Sequence, residues 1–505
     1  MADTGGAAQA RSPVLDRRRA GLLLHPTSLP GPLDSGDLGP GAYQFVDFLA
    51  ASGFTVWQML PVNPTHGNLS PYACQSIHAG NSRLISLELL ESEGWLGRQT
   101  EAKVHISGED PVAYRRSLLA QGRTGFLARA SAADRAAYDE FKAKHAYWLE
   151  NYVLFQALQE QYGGLPWWEW PAPLRDREPK ALQEARMRLA EPLEQQRFEQ
   201  FVFFRQWHAL KRYANDRGIL LFGDMPIFVA EDSNAVWARR HYFRLNEVGR
   251  PLVVAGVPPD YFSATGQRWG NPLYDWNHMR QDDFWWWRER VKNHLLLFDL
   301  VRIDHFRGFE AHWEISGTEA TALRGHWVQA PGQELFATLL QAFNPLPLVA
   351  EDLGTITPEV TALRDQFGFP GMKVLQFAFD GNPENPYLPH NHVSNSVVYT
   401  GTHDNNTTLG WYQELSEEER HYVLDYLGDR DTEIPWLMIR TALISVAKLA
   451  MVPMQDILGL DAAGRMNVPG LDEGNWRWRF SWQQVPTDLA PRLRHSVRLY
   501  GREAV

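Results

Sequence analysis

LVRIDHFRG, residues 300–308, is an apolar run that ends in charge. Leu297, Phe298, Leu300, Val301 and Ile303 read as a buried strand, and Arg302, Asp304, His305 and Arg307 crowd its C-terminal end. Successive side chains of a strand point to opposite faces, so Arg302 and Asp304 share one. A guanidinium beside a carboxylate favours the ionised acid, so Asp304 is expected to stay charged well below neutral pH. An ionised carboxylate fixed at a strand tip is what a nucleophile requires. A purely structural ion pair uses the same residues, and this stretch alone leaves both readings open.

Similar apolar runs with turn signals recur at 21–29, 54–62, 219–229, 347–354, 372–380, 396–404 and 452–460. Helical patterns follow or intervene at 41–52, 283–297, 333–343, 358–367, 416–427 and 433–450. Strands alternating with helices predict parallel βα units. With 300–308 the runs number eight, which closes a (β/α)8 barrel. The expected fold class is α/β, a TIM-type barrel over residues 19–62 and 218–505, with chemistry at the C-terminal ends of its strands. Two gaps are too long for simple loops. Residues 63–217 are Ala-, Glu-, Gln-, Arg- and Leu-rich and predict an inserted, mostly helical subdomain. Residues 230–282 form a loop-rich insertion that contains VVAGVPPDYFSATGQRWGNPLYDW, 253–276, a candidate substrate lid. The plain alternative there is an irregular connection. Residues 1–18 are expected to be a loose tail.

The 505-residue chain is 44% hydrophobic and carries a formal net charge of -11. That charge disfavours nucleic acid and anionic membranes as partners and is compatible with a neutral substrate. The single cysteine, Cys74, allows no intrachain disulfide and fits a reducing cytoplasm. No apolar run approaches the ~20 residues of a membrane span. The run Gly21–Leu24 after Arg17, Arg18 and Arg19 is too short for a signal peptide. Tryptophan occurs 20 times, clustered at 167–170, 285–287 and 476–482. Large aromatics bury well, so core packing accounts for most of these; flat apolar faces also suit sugar rings.

Other strand ends carry acids too. GDMPIF holds Asp224, PLVAEDLG holds Glu351 and Asp352, and SVVYTGTHDNNTT holds His403 and Asp404. Any one of these fits a helix cap or a surface charge. Gathered on one rim, like charges are costly unless used. Retaining glycosyl transfer uses such a set: one carboxylate attacks the anomeric carbon while a protonated carboxyl serves the leaving oxygen. The two roles need opposite protonation states. Asp304 suits the nucleophile. Glu351, preceded by Leu348, Val349 and Ala350 and near a negative charge, has an environment that raises its pKa and suits the acid/base. Asp404 and His403 suit contacts to sugar hydroxyls. The residues by themselves do not choose between Glu351 and Asp352.

Arg-x-Asp, then Glu, then His-Asp at successive strand ends resembles the alpha-amylase superfamily. Finer motifs resemble the amylomaltase (4-alpha-glucanotransferase, disproportionating enzyme) family. They are LLHPTSLPGP (23–32), GDLGPGAYQFVDFLA (36–50), SPY (70–72), AGN (79–81), GDMPIFVAEDSNAVW (223–237), GVPPDYFSATGQRWGNPLYDW (256–276), RIDHFRGF (302–309), AEDLG (350–354), GTHDNNTT (401–408) and NVPG with GNWRWR (467–479). The chain departs from the family pattern at residues 73–78 and at Leu471. The resemblance implies Asp304 as nucleophile, Glu351 as general acid/base and Asp404 as transition-state stabiliser. It also implies Arg302, His403 and Asp224 as contacts around the reacting sugar, Tyr72 stacked on a donor-side sugar, and Trp269 in a loop that closes over the glucan. Asp380 and Asn467 would add hydroxyl contacts. No metal or cofactor is implied; the partners would be an α-1,4-glucan donor and a glucose or glucan acceptor.

Three other readings share these residues. The nearest is an α-glucan hydrolase on the same scaffold. A metal-dependent barrel hydrolase would use His25, His305 and His403, although its usual paired histidines on the first strand are missing here. A non-catalytic glucan-binding protein has no need of all three acids.

Overall fold

The computed structural model describes residues 13–98, 110–259, 263–471 and 473–503. Its strands in chain order are β1 Arg19–Leu23, β2 Val56–Gln58, β3 Leu220–Met225, β4 Val253–Val257, β5 Gln267–Pro272 and β6 Leu300–Ile303. They continue with β7 Ala311–Ser316, β8 Gly325–Gln329, β9 Leu348–Ala350, β10 Gly371–Val374, β11 Ser396–Tyr399 and β12 Leu449–Pro453. Eight form one parallel sheet in the order β10-β11-β12-β1-β2-β3-β6-β9. The Ala350 N–H, at the end of β9, donates to the Pro370 carbonyl just before β10 at 2.9 Å, which closes the ring. The (β/α)8 expectation holds, and each of the eight runs contributes one barrel strand.

Strand periodicity sorts the side chains. Val56, Phe222, Leu300, Val349, Met372, Val397, Tyr399, Leu449 and Met451 fill the barrel interior. Val301, Ile303, Leu348 and Ala350 pack instead with the surrounding helices. Continuing the inward register from Leu300 leads to Arg302 and Asp304, from Phe222 to Asp224, and from Val349 to Glu351. The interior is tight at Gly21, where an added Cβ would lie 2.4 Å from the Val56 carbonyl oxygen. Leu15, 2% exposed, packs into the same interior cluster with Val14 beside it. Residues 13–18 are therefore held, not loose: Arg19 Nε donates to the Val14 carbonyl at 2.6 Å and Arg18 Nη2 to the Ser445 carbonyl at 2.8 Å. The rest of the expected tail, 1–12, lies outside the described residues.

Within 63–217 the long helices are Pro111–Arg129, Ala132–Gln161 and Ala190–Asp216. Their apolar residues join one cluster with those of the barrel helices. The last of them also lies on the barrel. Trp207 Nε1 donates to the Leu297 carbonyl at 3.0 Å, and the Tyr213 hydroxyl donates to Asp47 Oδ1 on the helix Pro40–Ala51 at 2.8 Å.

The 253–276 stretch is more regular than the irregular connection weighed for it. It supplies β4 and β5, half of a four-stranded antiparallel sheet ordered β5-β4-β7-β8. Gly256 has no room for a side chain: a Cβ there would meet the Gln267 carbonyl oxygen at 2.2 Å. Residues 260–262, between the two strands, lie outside the described residues.

Candidate active site

Arg302 is buried and lies between two acids. Its Nη1 donates to Asp224 Oδ2 at 2.7 Å, and its Nη2 forms an ion pair with Asp304 Oδ1 at 2.8 Å. The Tyr72 hydroxyl donates to the same Asp224 oxygen at 2.7 Å. A buried charge is tolerated only when paired, and one guanidinium here serves two carboxylates. Desolvation opposes its charge, yet Asp224 and Asp304 hold Arg302 well above its ordinary pKa.

The expectation that Arg302 keeps Asp304 ionised well below neutral pH is overturned. Burial pushes the Asp304 carboxyl up to about 6; Arg302 pulls it back only in part, and the negative charges of Asp224 and Asp404 add to the rise. Its side chain still opens to solvent on one side, 28% exposed. Glu351 is pushed further, to about 7, by burial and then by the Asp304 charge, against the pull of Arg302. Its Oε2 accepts the His305 N–H at 2.6 Å and its Oε1 the Leu353 N–H at 2.9 Å. His305 adopts φ +50°, the left-handed region, which is costly for a residue with a Cβ. That turn aims the amide following Asp304 at Glu351.

Asp352 is committed elsewhere. Its Oδ1 accepts the Met372 N–H at 2.7 Å and its Oδ2 pairs with Arg364, so it fastens the β9–β10 seam. The neighbours thus separate into one acid beside Asp304 and one structural acid. Asp352→Ala is expected to destabilise the fold by about 3 kcal/mol, since it strands Arg364 and an amide in the closure. A denaturant midpoint indistinguishable from the parent's would contradict that role.

Asp404 follows β11 on the loop 400–407. Burial alone would raise its pKa, but the charge and hydrogen bond of His403 and a hydrogen bond from Asn467 hold it well below the usual carboxylate range. Asn467 Nδ2 donates to its Oδ1 at 2.6 Å, and His403 Nε2 lies 3.3 Å from its Oδ2. Its side chain is 46% exposed. Asp456, buried on the helix after β12, accepts from the Thr400 and Thr408 hydroxyls at 2.6 Å each and fixes both ends of this loop.

Aromatic rings wall the cluster. Tyr72 stacks on His403 with centroids 5.2 Å apart and planes 13° apart, and Trp476 lies 5.9 Å from Tyr72. Beyond Trp476 opens a hollow of about 280 Å³, bordered also by His25, Thr27, Asp34, Arg83 and Arg479. That volume lies at the lower edge of small-molecule sites, about 300–1,000 Å³. Trp269, on β5, meets His305 edge to face at 4.7 Å. Asp380 is exposed and caps its own turn, accepting from Asn382 N at 2.9 Å, with no bond to the acids among the described contacts. Tyr72, Asp224, Arg302, His403 and Asn467 are joined to Asp304 or Asp404 by the contacts above, and Trp269 meets the His305 ring. Of the three histidines of the metal-dependent alternative, His25 and His403 line one hollow, while the His305 ring turns to Trp269. Among the described residues no group of three or more His, Cys, Asp or Glu is arranged to hold a metal ion. Sequence reasoning missed Trp476, the His305 amide and Arg465. For Arg465 the available signal was its place two residues before the NVPG motif.

Fold and site together define a (β/α)8-barrel enzyme with a carboxylate-lined cleft. The chain belongs to the 4-alpha-glucanotransferase family, whose model matches residues 24–484. It is 50% identical to a 4-alpha-glucanotransferase of Thermus thermophilus over 492 residues, 95% of this chain and 97% of that one. It is 48% identical to one of Synechocystis over 499 residues, 97% and 99% of the two chains. In structure it is similar to an amylomaltase from Streptococcus agalactiae solved with acarbose, with TM-score 0.92 and 37% identity over 97% of this chain and 100% of that one. Among the described residues no helix is long and apolar enough to cross a membrane.

Proposed function

We propose that this enzyme moves a segment of an α-1,4-glucan to the 4-hydroxyl of glucose or another glucan by a retaining double displacement. Asp304 attacks the anomeric carbon and forms a glycosyl ester, while Glu351 gives its proton to the departing 4-oxygen. Glu351 then takes the proton from the acceptor 4-hydroxyl, which displaces Asp304 and restores the α linkage. Asp404 receives hydroxyl hydrogen bonds that strengthen as the ring flattens, and Tyr72 and His403 present a surface for the sugar. Arg302 and Asp224 set the charge and orientation of Asp304. Maltodextrin, glycogen and starch chains belong to this donor class. We place the enzyme in the cytoplasm, since with Cys74 as its one cysteine the fold depends on no disulfide.

One observation carries this reading. Asp304 and Glu351 follow paired parallel strands, and the amide after the first acid donates to the second. Transfer outruns hydrolysis when the acceptor fills its site and water is excluded. Trp269, 38% exposed beside His305, is the aromatic placed to cover that side. The test is a maltotriose digest followed for both chain length and reducing ends. Glucose and longer maltodextrins should accumulate at a nearly constant total of reducing ends, and Trp269→Ala should raise the hydrolysed share severalfold. A total that climbs in step with bond breakage in the parent enzyme would reassign it as a hydrolase.

A further inference from the structure

Arg465 is a half-buried side chain that no step above uses. Its Nη2 donates to the backbone carbonyl of Asp404 at 2.9 Å, and its Nε donates to the backbone carbonyl of Asn467 at 2.8 Å. Asn467 Nδ2 in turn donates to Asp404 Oδ1. One guanidinium thus joins the main chains of two loops whose side chains meet at the acid. Its planar fork fixes donor directions, so it sets both the distance and the angle between the carbonyls it holds. Other anchors act within one side of this junction. Asp456 ties Thr400 to Thr408, and Asn475 holds Val468 N at 2.9 Å and the Leu471 carbonyl at 2.8 Å. Arg465 spans the gap between them.

We propose that Arg465 is a positioning residue for glycosyl transfer: it holds Asn467 against Asp404 so that the carboxylate faces the reacting sugar. This rests on the role proposed for Asp404. With 46% of its side chain exposed, Asp404 has room to swing once the junction loosens. A catalytic group misplaced by about 1 Å costs on the order of a hundredfold in rate.

Steady-state kinetics on maltotriose test it with Arg465→Ala, Arg465→Lys, Asn467→Ala and the Arg465→Ala/Asn467→Ala double variant. Arg465→Ala should lower kcat roughly tenfold to a hundredfold while KM stays within about threefold. Lysine keeps the charge and reaches one carbonyl, so Arg465→Lys should recover part of the loss. In the Asn467→Ala background the further loss should shrink to under about threefold, because no amide remains to be aimed. If Arg465→Ala does not fold, Arg465→Gln is read against the same outcomes. A parent-like kcat, a loss confined to KM, or two losses that multiply in the double variant would each overturn the inference. An inactive Asp404→Asn beside a fully active Arg465→Ala sinks the role of Arg465 alone; a fully active Asp404→Asn sinks the role of Asp404 instead.

Discussion

Replacing Asp304 by asparagine will reduce kcat for glucan transfer by on the order of 10⁴ to 10⁶, as removal of a covalent nucleophile does in other enzymes. Asparagine keeps the volume and a hydrogen-bond acceptor for Arg302 but has no charge with which to attack. The fold should tolerate the change. Arg302 retains its 2.7 Å bond to Asp224, and the lost carboxylate is one whose ionisation burial opposes. Thermal stability at neutral pH should therefore match or exceed the parent's, which separates lost chemistry from lost structure. Glucan affinity should change far less than kcat, because the contacts among Tyr72, His403 and Trp476 do not involve Asp304. The measurement is initial rate on maltotriose beside a melting curve and a binding titration. Activity within tenfold of the parent would remove Asp304 from the nucleophile's role and leave it a structural partner of Arg302.

How far these roles are legible in the sequence depends on the kind of interaction. Periodicity along LVRIDHFRG puts Arg302 and Asp304 on one face, and the barrel interior bears this out because parallel strands alternate strictly. The eighth strand is displaced from its run: Leu449–Pro453 begins inside the helical pattern 433–450, with no Gly or Pro between helix and strand. β7 and β8, AHWEIS and GHWVQ, escape notice because their polar residues hide a sheet that pairs outside the barrel. The charge state of Asp304 is the deeper failure. Its sequence neighbour Arg302 lowers the pKa, but the burial that outweighs Arg302 is created by residues distant in the chain. Tyr72 reaches the cleft from the inserted segment, Asp224 from the end of β3, and His403 and Asp404 together from the loop after β11. Asp380 has no bond to the acids among the described residues and accepts from Asn382 N within its own turn.

Glu351→Gln is the second decisive variant, because one side chain is asked to act as acid and then as base. Loss of the proton donor should lower kcat for maltotriose on the order of 10²- to 10⁴-fold. A maltosyl fluoride donor needs little help with its leaving group, so the first step should survive in the variant. The second step lacks its base and slows, so a glycosyl ester should accumulate. Mass analysis should find it on the peptide that carries Asp304; an adduct elsewhere would refute the assignment of both acids. The pH profile gives an independent check. In the free enzyme Asp304 must be ionised and Glu351 protonated, so kcat/KM should fall below about 6 and above about 7. Glu351→Gln should abolish the alkaline limb and keep the acid one. Stability should move in the opposite direction to activity. Folding raises the Glu351 pKa from 4.5 to about 7, so the native state binds the proton more tightly than the unfolded chain. Ionising it costs stability that begins to be lost as pH rises past 4.5 and is fully lost above about 7. Glutamine has no charge to bury but replaces one accepting oxygen by an NH2 that cannot accept the His305 or Leu353 N–H, so its melting temperature relative to the parent's should be higher at pH 8 than at pH 4.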